Sequence, residues 1–133
     1  IVTAARALIF SGTGTRTIPA LSTTIGDSIV IDGVTLDNTV NNSIFDLEGD
    51  IAIRDGGTFL SGTGGINFIG STDGHIKTSM TGVNQLAQMT VSKSSGDLYI
   101  DGAEVFVKNT IDFQKGRIIP GDNKLLMDKN LTM

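Results

Sequence analysis

Residues 45–56 read FDLEGDIAIRDG and residues 105–116 read VFVKNTIDFQKG, so nearly the same pattern of residues occurs twice in this chain. The apolar residues at positions 45, 47, 51 and 53 have apolar counterparts 60 positions later, at 105, 107, 111 and 113. The polar residues between them change freely; Asp46, for example, corresponds to Phe106. The repeated feature is therefore a buried face, and the variable one is a solvent-exposed face. This pattern is typical of a scaffold and not of a catalytic site.

The repeat extends over most of the chain and predicts how it is organised. We expect one solenoid segment over 1–133, with repeat units over 8–65 and 66–124 and the start of a third over 125–133. Insertions and deletions between the units fall in polar, Gly-rich stretches, which is typical of loops. The stretch 124–127 (KLLM) is as apolar as an internal strand, whereas terminal repeats usually have polar caps. We therefore expect the chain to be a segment of a longer protein.

The composition favours short β-strands joined by tight turns. The 133 residues include 17 Gly and only two Pro, and Thr, Ile, Val and Asp are abundant. Alternation of apolar and polar residues predicts strands at 28–32, 44–47, 50–54, 97–101, 104–108 and 110–114. Two short stretches, 4–9 and 83–89, have patterns that a helix could also have.

Short strands repeated at a fixed period predict an all-β parallel β-helix (β-solenoid), in which successive coils are hydrogen-bonded at a spacing of about 4.8 Å. With about three strands per coil, each unit of about 60 residues would contain two to three coils. We expect the inward columns to contain Phe45, Leu47, Ile51, Ile53, Val105, Val107, Ile111 and Phe113. Gly49 and Asn109 are predicted corner residues, because both residue types tolerate left-handed backbone. A β-sandwich is the alternative fold, since it also contains short alternating strands.

The charge and the cysteine content exclude several classes of function. The net charge is −4 and the pI is about 4.7, which argues against nucleic acid and against an anionic membrane surface as partners. The chain has no Cys, so neither a disulfide framework nor a thiolate metal site can form. No apolar run approaches the roughly 18 residues of a membrane span, and we expect no membrane insertion.

One acidic group could take part in acid–base chemistry. Asp46, Glu48 and Asp50 alternate on one predicted strand face, with Arg54 further along it, as acidic clusters do in polysaccharide-cleaving β-helices. The alternative interpretation is a solvated face of an acidic protein, which we prefer because the second unit does not keep these carboxylates. His75 is the only histidine and lies in a turn-like stretch without a recognisable nucleophile motif.

Turn-like motifs suggest other sites only weakly. Calcium could bind at Asp-rich turns, but turn chemistry alone explains the Asp-Gly pairs at 32–33, 55–56, 73–74 and 101–102. The SGTG stretches at 11–14 and 61–64 resemble phosphate loops but lack the following Gly-Lys-Ser/Thr. Threonines at 13, 15 and 17 could line a flat strand face, as threonine rows do in ice-binding solenoids. The second unit has Ser71, Asp73 and His75 at these positions, so the row is not repeated. We therefore assign no catalytic, cofactor-binding or metal-ligating residue and predict no cofactor.

The spacing of apolar residues and Gly resembles a known family of repeats. The elements are Phe68-Ile69-Gly70, the stretch from Leu86 to Val91, the stretch from Val105 to Ile118, and the stretch from Asn123 to Leu126. They resemble the β-strand repeats of large secreted, adhesin-like surface proteins of Bacteroidota. The resemblance implies a parallel β-helix, secretion (often by the type IX system), display on the cell surface and a role in adhesion or gliding.

The expected function is that of a structural or adhesive repeat segment of an extracellular surface protein, with no chemistry of its own. Its partners would be surface glycans or neighbouring repeat domains, and a small-molecule substrate is not expected. The alternative is a carbohydrate-active β-helix, either a polysaccharide lyase or hydrolase, or a phage tail-spike segment. That class usually needs aromatic platforms for sugars, whereas this chain has one Tyr and no Trp.

Overall fold

The chain forms a parallel β-solenoid of about five turns. The computed structural model describes residues 4–20 and 24–128. In chain order the elements are β1 (Ala4–Ser11), β2 (Thr15–Thr17), β3 (Thr24–Asp32), β4 (Thr35–Asp37), β5 (Ile44–Leu47), β6 (Asp50–Arg54), β7 (Thr58–Leu60), β8 (Gly65–Gly70), β9 (Gly74–Ile76), a 3₁₀ turn η1 (Gly82–Asn84), β10 (Leu86–Lys93), β11 (Leu98–Ile100), β12 (Glu104–Lys115), β13 (Ile118–Ile119) and β14 (Lys124–Met127). The predicted solenoid is therefore confirmed, and the sandwich is not formed.

The strands stack in three ladders, all parallel. The first ladder contains residues 24–25, 44–47, 65–70, 88–93 and 110–115 of successive turns. The second ladder contains residues 28–32, 50–54, 74–76, 98–100 and 118–119. The third ladder contains β2, β4 and β7 in the early turns, and residues 104–107 with β14 in the late turns.

One turn of the solenoid is shorter than the repeat seen in the sequence. Thr15 pairs with Thr35 of the next turn, 20 positions later, whereas Ile51 pairs with Ile76, 25 positions later. A unit of about 60 residues therefore contains between two and three turns, as the strand count predicts.

The core is built from columns of aliphatic and aromatic side chains that lie over one another between turns. In the first ladder one column contains Ile25, Leu47, Phe68 and Val91 and a second contains Phe45, Ile66, Met89 and Ile111, all buried. In the second ladder the column contains Ile29, Ile51, Ile76 and Ile100. Parallel in-register pairing forces this arrangement, because every second residue of each strand points to the same side.

Seven of the eight predicted inward residues are buried, and the prediction for Phe113 is wrong. Phe113 is in register with Val91 of β10, yet it is 49% exposed. The reason is that β14 pairs with β12 only along Glu104–Val107. In the described part of the chain no strand covers the second half of β12, so Phe113 lacks the neighbour that buries Val91.

Of the two predicted corner residues, Gly49 lies at a corner, although not for the expected reason, and Asn109 does not. Gly49 does lie between β5 and β6, but its φ is not left-handed. It is needed because a Cβ there would lie 1.7 Å from the carbonyl oxygen of Asp27 in the preceding turn. Asn109 lies inside β12, where the register against β10 shifts between Leu86 and Gln88. A β-bulge therefore replaces the corner predicted there.

The two stretches with ambiguous patterns also differ from a helix. Residues 4–9 belong to β1, which pairs with β3 in parallel. In 83–89 only residues 83–84, which belong to the 3₁₀ turn η1, are helical; Gln85 is its C-cap, and residues 86–89 belong to β10. Tertiary pairing decides both cases, since each stretch lies beside a strand of the neighbouring turn.

A buried asparagine holds one corner between the third and first ladders. Asn38 is fully buried; its Nδ2 donates to the carbonyl oxygens of Ser43 (2.8 Å) and Ser61 (3.1 Å), and its Oδ1 accepts from the amide of Ser43 (2.9 Å). The bond to Ser61 crosses to the next turn, so this side chain links two turns where the backbone leaves the ladders.

We expect Gly49→Ala to lower the free energy of unfolding by about 3 kcal/mol, because the added methyl overlaps the backbone of the preceding turn. Gly56→Ala is the control, since its Cβ would have no atom within 4 Å; only its φ of +78° is unfavourable, at a cost of about 1 kcal/mol. Urea unfolding measures both. Equal losses would show that the turns do not approach each other closely at Gly49.

A second prediction concerns Asn38, the buried side chain that holds the corner between the third and first ladders. Asn38→Ala removes three hydrogen bonds inside the protein and should destabilise it by about 2–4 kcal/mol. Asn41→Ala, its control, removes one bond from an exposed side chain to the Ile18 carbonyl and should lower stability by about 1 kcal/mol or less. Thermal unfolding of both variants tests this, and a loss at Asn38 no greater than that at Asn41 contradicts it.

Candidate functional site

A row of polar side chains runs across the first ladder on its outer face. It contains, in register from turn to turn, Thr24, Asp46, Asn67, Thr90 and Asp112, which we call the polar row. All five side chains are partly or fully exposed. Within the row the Asn67 amide donates to Asp46 Oδ1 at 3.0 Å. Since neighbouring strands lie about 4.8 Å apart, the row presents polar groups at a regular short spacing.

The predicted acidic cluster is divided between two ladders. Asp46 belongs to β5 in the first ladder and Asp50 to β6 in the second, because the chain turns at Glu48 and Gly49. Each carboxylate has its own partner: Asp46 bonds to Asn67, whereas Asp50 binds Lys77 Nζ at 2.9 Å. The prediction of one continuous carboxylate face is therefore wrong, and the corner at Gly49 is the reason.

Arg54 does not join these carboxylates either. Its Nε lies 3.7 Å from Asp32 Oδ2, in the turn below. A hydrogen bond with Asp55 is the main cause of a raised pKa at Asp32, with the Asp55 charge contributing further and Arg54 opposing it. The first two Asp-Gly pairs thus place their carboxyl groups together in space, which the sequence alone did not indicate.

His75 is part of a cluster on the second ladder, and not an isolated turn residue. It lies in β9, its ring is stacked on Tyr99 at 4.9 Å, and its Nδ1 bonds to Asp101. Its backbone amide donates to Asp50 Oδ1 at 2.9 Å. Asp50 binds Lys77, and this pairing is the main cause of a raised pKa at Lys77. These five residues, the His75 cluster, are linked by hydrogen bonds, an ion pair and ring stacking across three turns.

The other Asp-Gly turns also use their carboxylates within the fold. Asp73 Oδ1 accepts from the Asp97 amide at 2.9 Å, and Asp97 itself forms a two-pronged pair with Arg117 at 2.7 and 2.8 Å. The Arg117 guanidinium lowers the pKa of Asp97. In residues 4–20 and 24–128, no group of three or more His, Asp or Glu side chains could hold a metal ion.

Of the threonines at 13, 15 and 17, Thr15 belongs to a row that runs across the turns. Thr15 of β2 lies in register with Thr35 of β4 and Thr58 of β7. Thr17 is in register with Asp37 and Leu60 instead, so only one three-membered row of threonines forms.

A buried lysine was missed by sequence reasoning. Lys93 at the end of β10 is 1% exposed, and its Nζ donates to the carbonyl oxygens of Ile69 (2.8 Å) and Glu48 (3.3 Å). Burial is the main cause of a lowered pKa at Lys93, partly offset by the charges of Asp73, Glu48 and Asp50. Its position after Met89 and Val91, at the inward phase of the alternation, was the available signal.

A concave surface lies at the corner between the third and first ladders. We call it the corner groove; its volume is about 260 Å³. Its lining residues come from three successive corners, from the end of β7, from the start of β10 and from the middle of β12: Thr39, Leu60, Ser61, Gly62, Thr63, Gly82, Val83, Gln85, Ala87, Lys108 and Asn109. The second SGTG stretch, at 61–64, thus forms a wall of this groove and does not begin a helix. Lys108 is the one charged residue in this lining.

Comparison of the chain with protein-family models, with curated proteins and with solved structures finds no match. The β-solenoid implied by the resemblance to surface-protein repeats is confirmed, whereas the family itself stays a prediction. Within the described residues no helix is long and apolar enough to cross a membrane.

The burial of Lys93 predicts a pH dependence of stability. Because its pKa is lower in the folded protein, the unfolded chain binds more protons as the pH approaches 10.5, and Lys93 therefore adds stability as the pH rises through this range. We expect the urea midpoint of the wild type to rise relative to that of Lys93→Met between neutral pH and pH 10.5. Lys124→Met, at an exposed lysine, is the control. Parallel pH profiles of the wild type and Lys93→Met would contradict the lowered pKa.

Proposed function

We propose that this chain is a structural and adhesive repeat segment of an extracellular surface protein, with no chemistry of its own. The polar row on the first ladder is the observation that carries the proposal. Five polar side chains from successive turns occur there at equivalent positions, over a continuous buried core. A rigid lattice of hydroxyl, amide and carboxylate groups can make many equivalent hydrogen bonds to an extended partner such as a glycan.

Adhesion by such a surface depends on repetition and not on one strong site. Each contact at an exposed polar side chain is weak, because water competes for the same groups. When several segments are held together, each further contact becomes intramolecular, and the overall affinity can exceed that of one segment by about 10²–10⁴-fold. The stacked turns contribute stiffness, which keeps the contacts aligned.

The extracellular location is proposed from the resemblance to secreted repeats of Bacteroidota, for which type IX secretion and surface display are the expected route. A chain without Cys is compatible with an oxidising environment, since no thiol is available for unwanted disulfides. The partners proposed are surface glycans and neighbouring repeat domains.

The adhesion proposal can be tested with immobilised bacterial and host polysaccharides. We expect negligible retention of the single segment and retention of the same segment displayed densely on beads. Replacing Asn67 and Thr90 by lysine should abolish retention, because the bulky side chains interrupt the polar row. The matched control is the same change at Thr35 and Thr58 on the third ladder. No retention at any display density, or an equal loss in the control, argues against the proposal.

The absence of chemistry is tested separately. Incubation with the same polysaccharides should release neither new reducing ends nor unsaturated products. The carboxylates considered from the sequence, Asp46 and Glu48, and the His75 cluster are the groups that an enzyme would use. A genuine cleavage activity that disappears in Asp46→Ala, Glu48→Ala or His75→Ala would replace the scaffold function by a carbohydrate-active one.

A further inference from the structure

The polar side chains of the corner groove differ from those elsewhere along the solenoid. Asn38, Asn84 and Asn123 use their side-chain amides to hold corners together. In the groove, by contrast, the side chains of Thr63, Gln85, Lys108 and Asn109 make no hydrogen bond or ion pair with any described residue.

Their donors face one concavity and come from successive turns. Thr63 follows β7, Gln85 follows η1, and Lys108 and Asn109 lie in β12, so three consecutive turns contribute. The stacking of the turns fixes the spacing of these groups, and a ligand would therefore meet a partly ordered set of donors.

The groove is apolar at one side. Val83 is 68% exposed at its edge, and Leu60 and Ala87 contribute to the lining. A volume of about 260 Å³ is just below the range of about 300–1,000 Å³ typical of drug-sized ligands, so one or two sugar rings suit it better. Sugars combine a C–H face with a rim of hydroxyl groups, which matches an aliphatic wall beside amide and hydroxyl donors.

Lys108 adds a requirement for negative charge. Its ammonium group is the only charge in the groove lining and has no counter-ion in the described part of the chain. An anionic group of a ligand would accept charge-assisted hydrogen bonds from Lys108, and these are the strongest hydrogen bonds available at a surface. Gln85 and Asn109 can donate amide hydrogens to oxygen atoms of the same ligand.

We propose that the corner groove binds a single hexuronate residue of a polysaccharide, with the sugar carboxylate on Lys108 and its hydroxyl groups on Thr63, Gln85 and Asn109. This inference rests on the proposed adhesion to glycans and gives it a defined sugar class. It adds one oriented contact to the weaker contacts of the polar row.

The surroundings favour an isolated uronate over a polyuronate. Asp112 lies three residues beyond Asn109 on β12, about 10 Å away, which is close to one Debye length at physiological salt. Thr39 of the groove lining donates its hydroxyl hydrogen to the carboxylate of Asp37, so this second carboxylate also lies next to the groove. The net charge of −4 acts in the same direction. We therefore expect a chain with a carboxylate on every sugar to bind less tightly than one with a single uronate, most clearly at low ionic strength.

The test is an NMR titration of the isotope-labelled chain with a defined tetrasaccharide that contains one glucuronate. The neutral analogue, in which this carboxylate is reduced to the alcohol, and polygalacturonate are the comparison probes. We expect the glucuronate probe to shift the amide signals of Thr63, Gln85 and Asn109, with weaker effects from both comparison probes. Lys108→Gln should weaken binding of the glucuronate probe by at least about tenfold. The matched control is Lys124→Gln, which makes the same charge change at an exposed lysine of β14 and should leave the affinity unchanged.

Three outcomes would overturn the inference and leave the adhesion proposal standing. Equal weakening by Lys108→Gln and Lys124→Gln would indicate unspecific charge attraction. Shifts confined to the polar row would place sugar binding elsewhere. Groove shifts with a Glu-rich peptide but not with the glucuronate probe would assign the groove to acidic protein segments. If instead no polysaccharide binds to the chain even at high display density, the adhesion proposal itself fails.

Discussion

Parallel in-register pairing between successive turns is the interaction on which the rest of this structure depends. It satisfies the backbone hydrogen bonds of each turn with those of the next, and it places equivalent side chains above one another. Inward positions then form continuous apolar columns, such as that of Ile29, Ile51, Ile76 and Ile100. Outward positions form rows, of which the polar row is one. The corners are the least favourable part of each turn in free energy, and they depend on the close backbone approach at Gly49 and on the buried amide of Asn38.

The same constraint explains how the surfaces of the molecule differ. In the His75 cluster, Lys77 pairs with Asp50 and His75 bonds to Asp101 of the next turn, and these contacts act as braces between strands of the second ladder. In the polar row, Asn67 donates to Asp46 and Gln114 donates to Asp112, whereas the hydroxyl groups of Thr24 and Thr90 make no hydrogen bond within the described residues. The corner groove lies between ladders, where the turns differ in length, and the side chains of Thr63, Gln85, Lys108 and Asn109 in its lining have no partner within the described residues. The surface proposed for binding therefore coincides with the part of the solenoid that varies most between turns.

The fold class and most of the core could be predicted from the sequence, because alternation marks inward residues directly. The length of one turn could not be predicted, since corners of different length spread the turn over 20 to 25 residues and only the multiple near 60 is regular. Phe113 was placed wrongly because burial at an outer turn depends on the covering strand and not on phase alone. Lys93 was overlooked because a lysine at an inward position is expected to be exposed.

The spatial arrangement of the polar side chains could not be predicted for a related reason. The carboxylates Asp46 and Asp50 look like neighbours along one strand, yet a corner separates them into different ladders. The His75 cluster and the corner groove are formed by residues more than 20 positions apart, which no local motif marks. Only the register between turns brings them together, and the register depends on the corner lengths that the sequence pattern leaves open.

The most direct test of the account is electron paramagnetic resonance of pairs of nitroxide labels on the polar row. With one label at Thr90, the second is placed at Asn67, Asp46 or Thr24, one, two or three turns away. The account predicts backbone separations of about 5, 10 and 14 Å, and therefore dipolar broadening that is strongest for Asn67 and declines stepwise. Broadening that does not follow this order would contradict parallel in-register stacking and, with it, the polar row, the groove and the functions proposed for them.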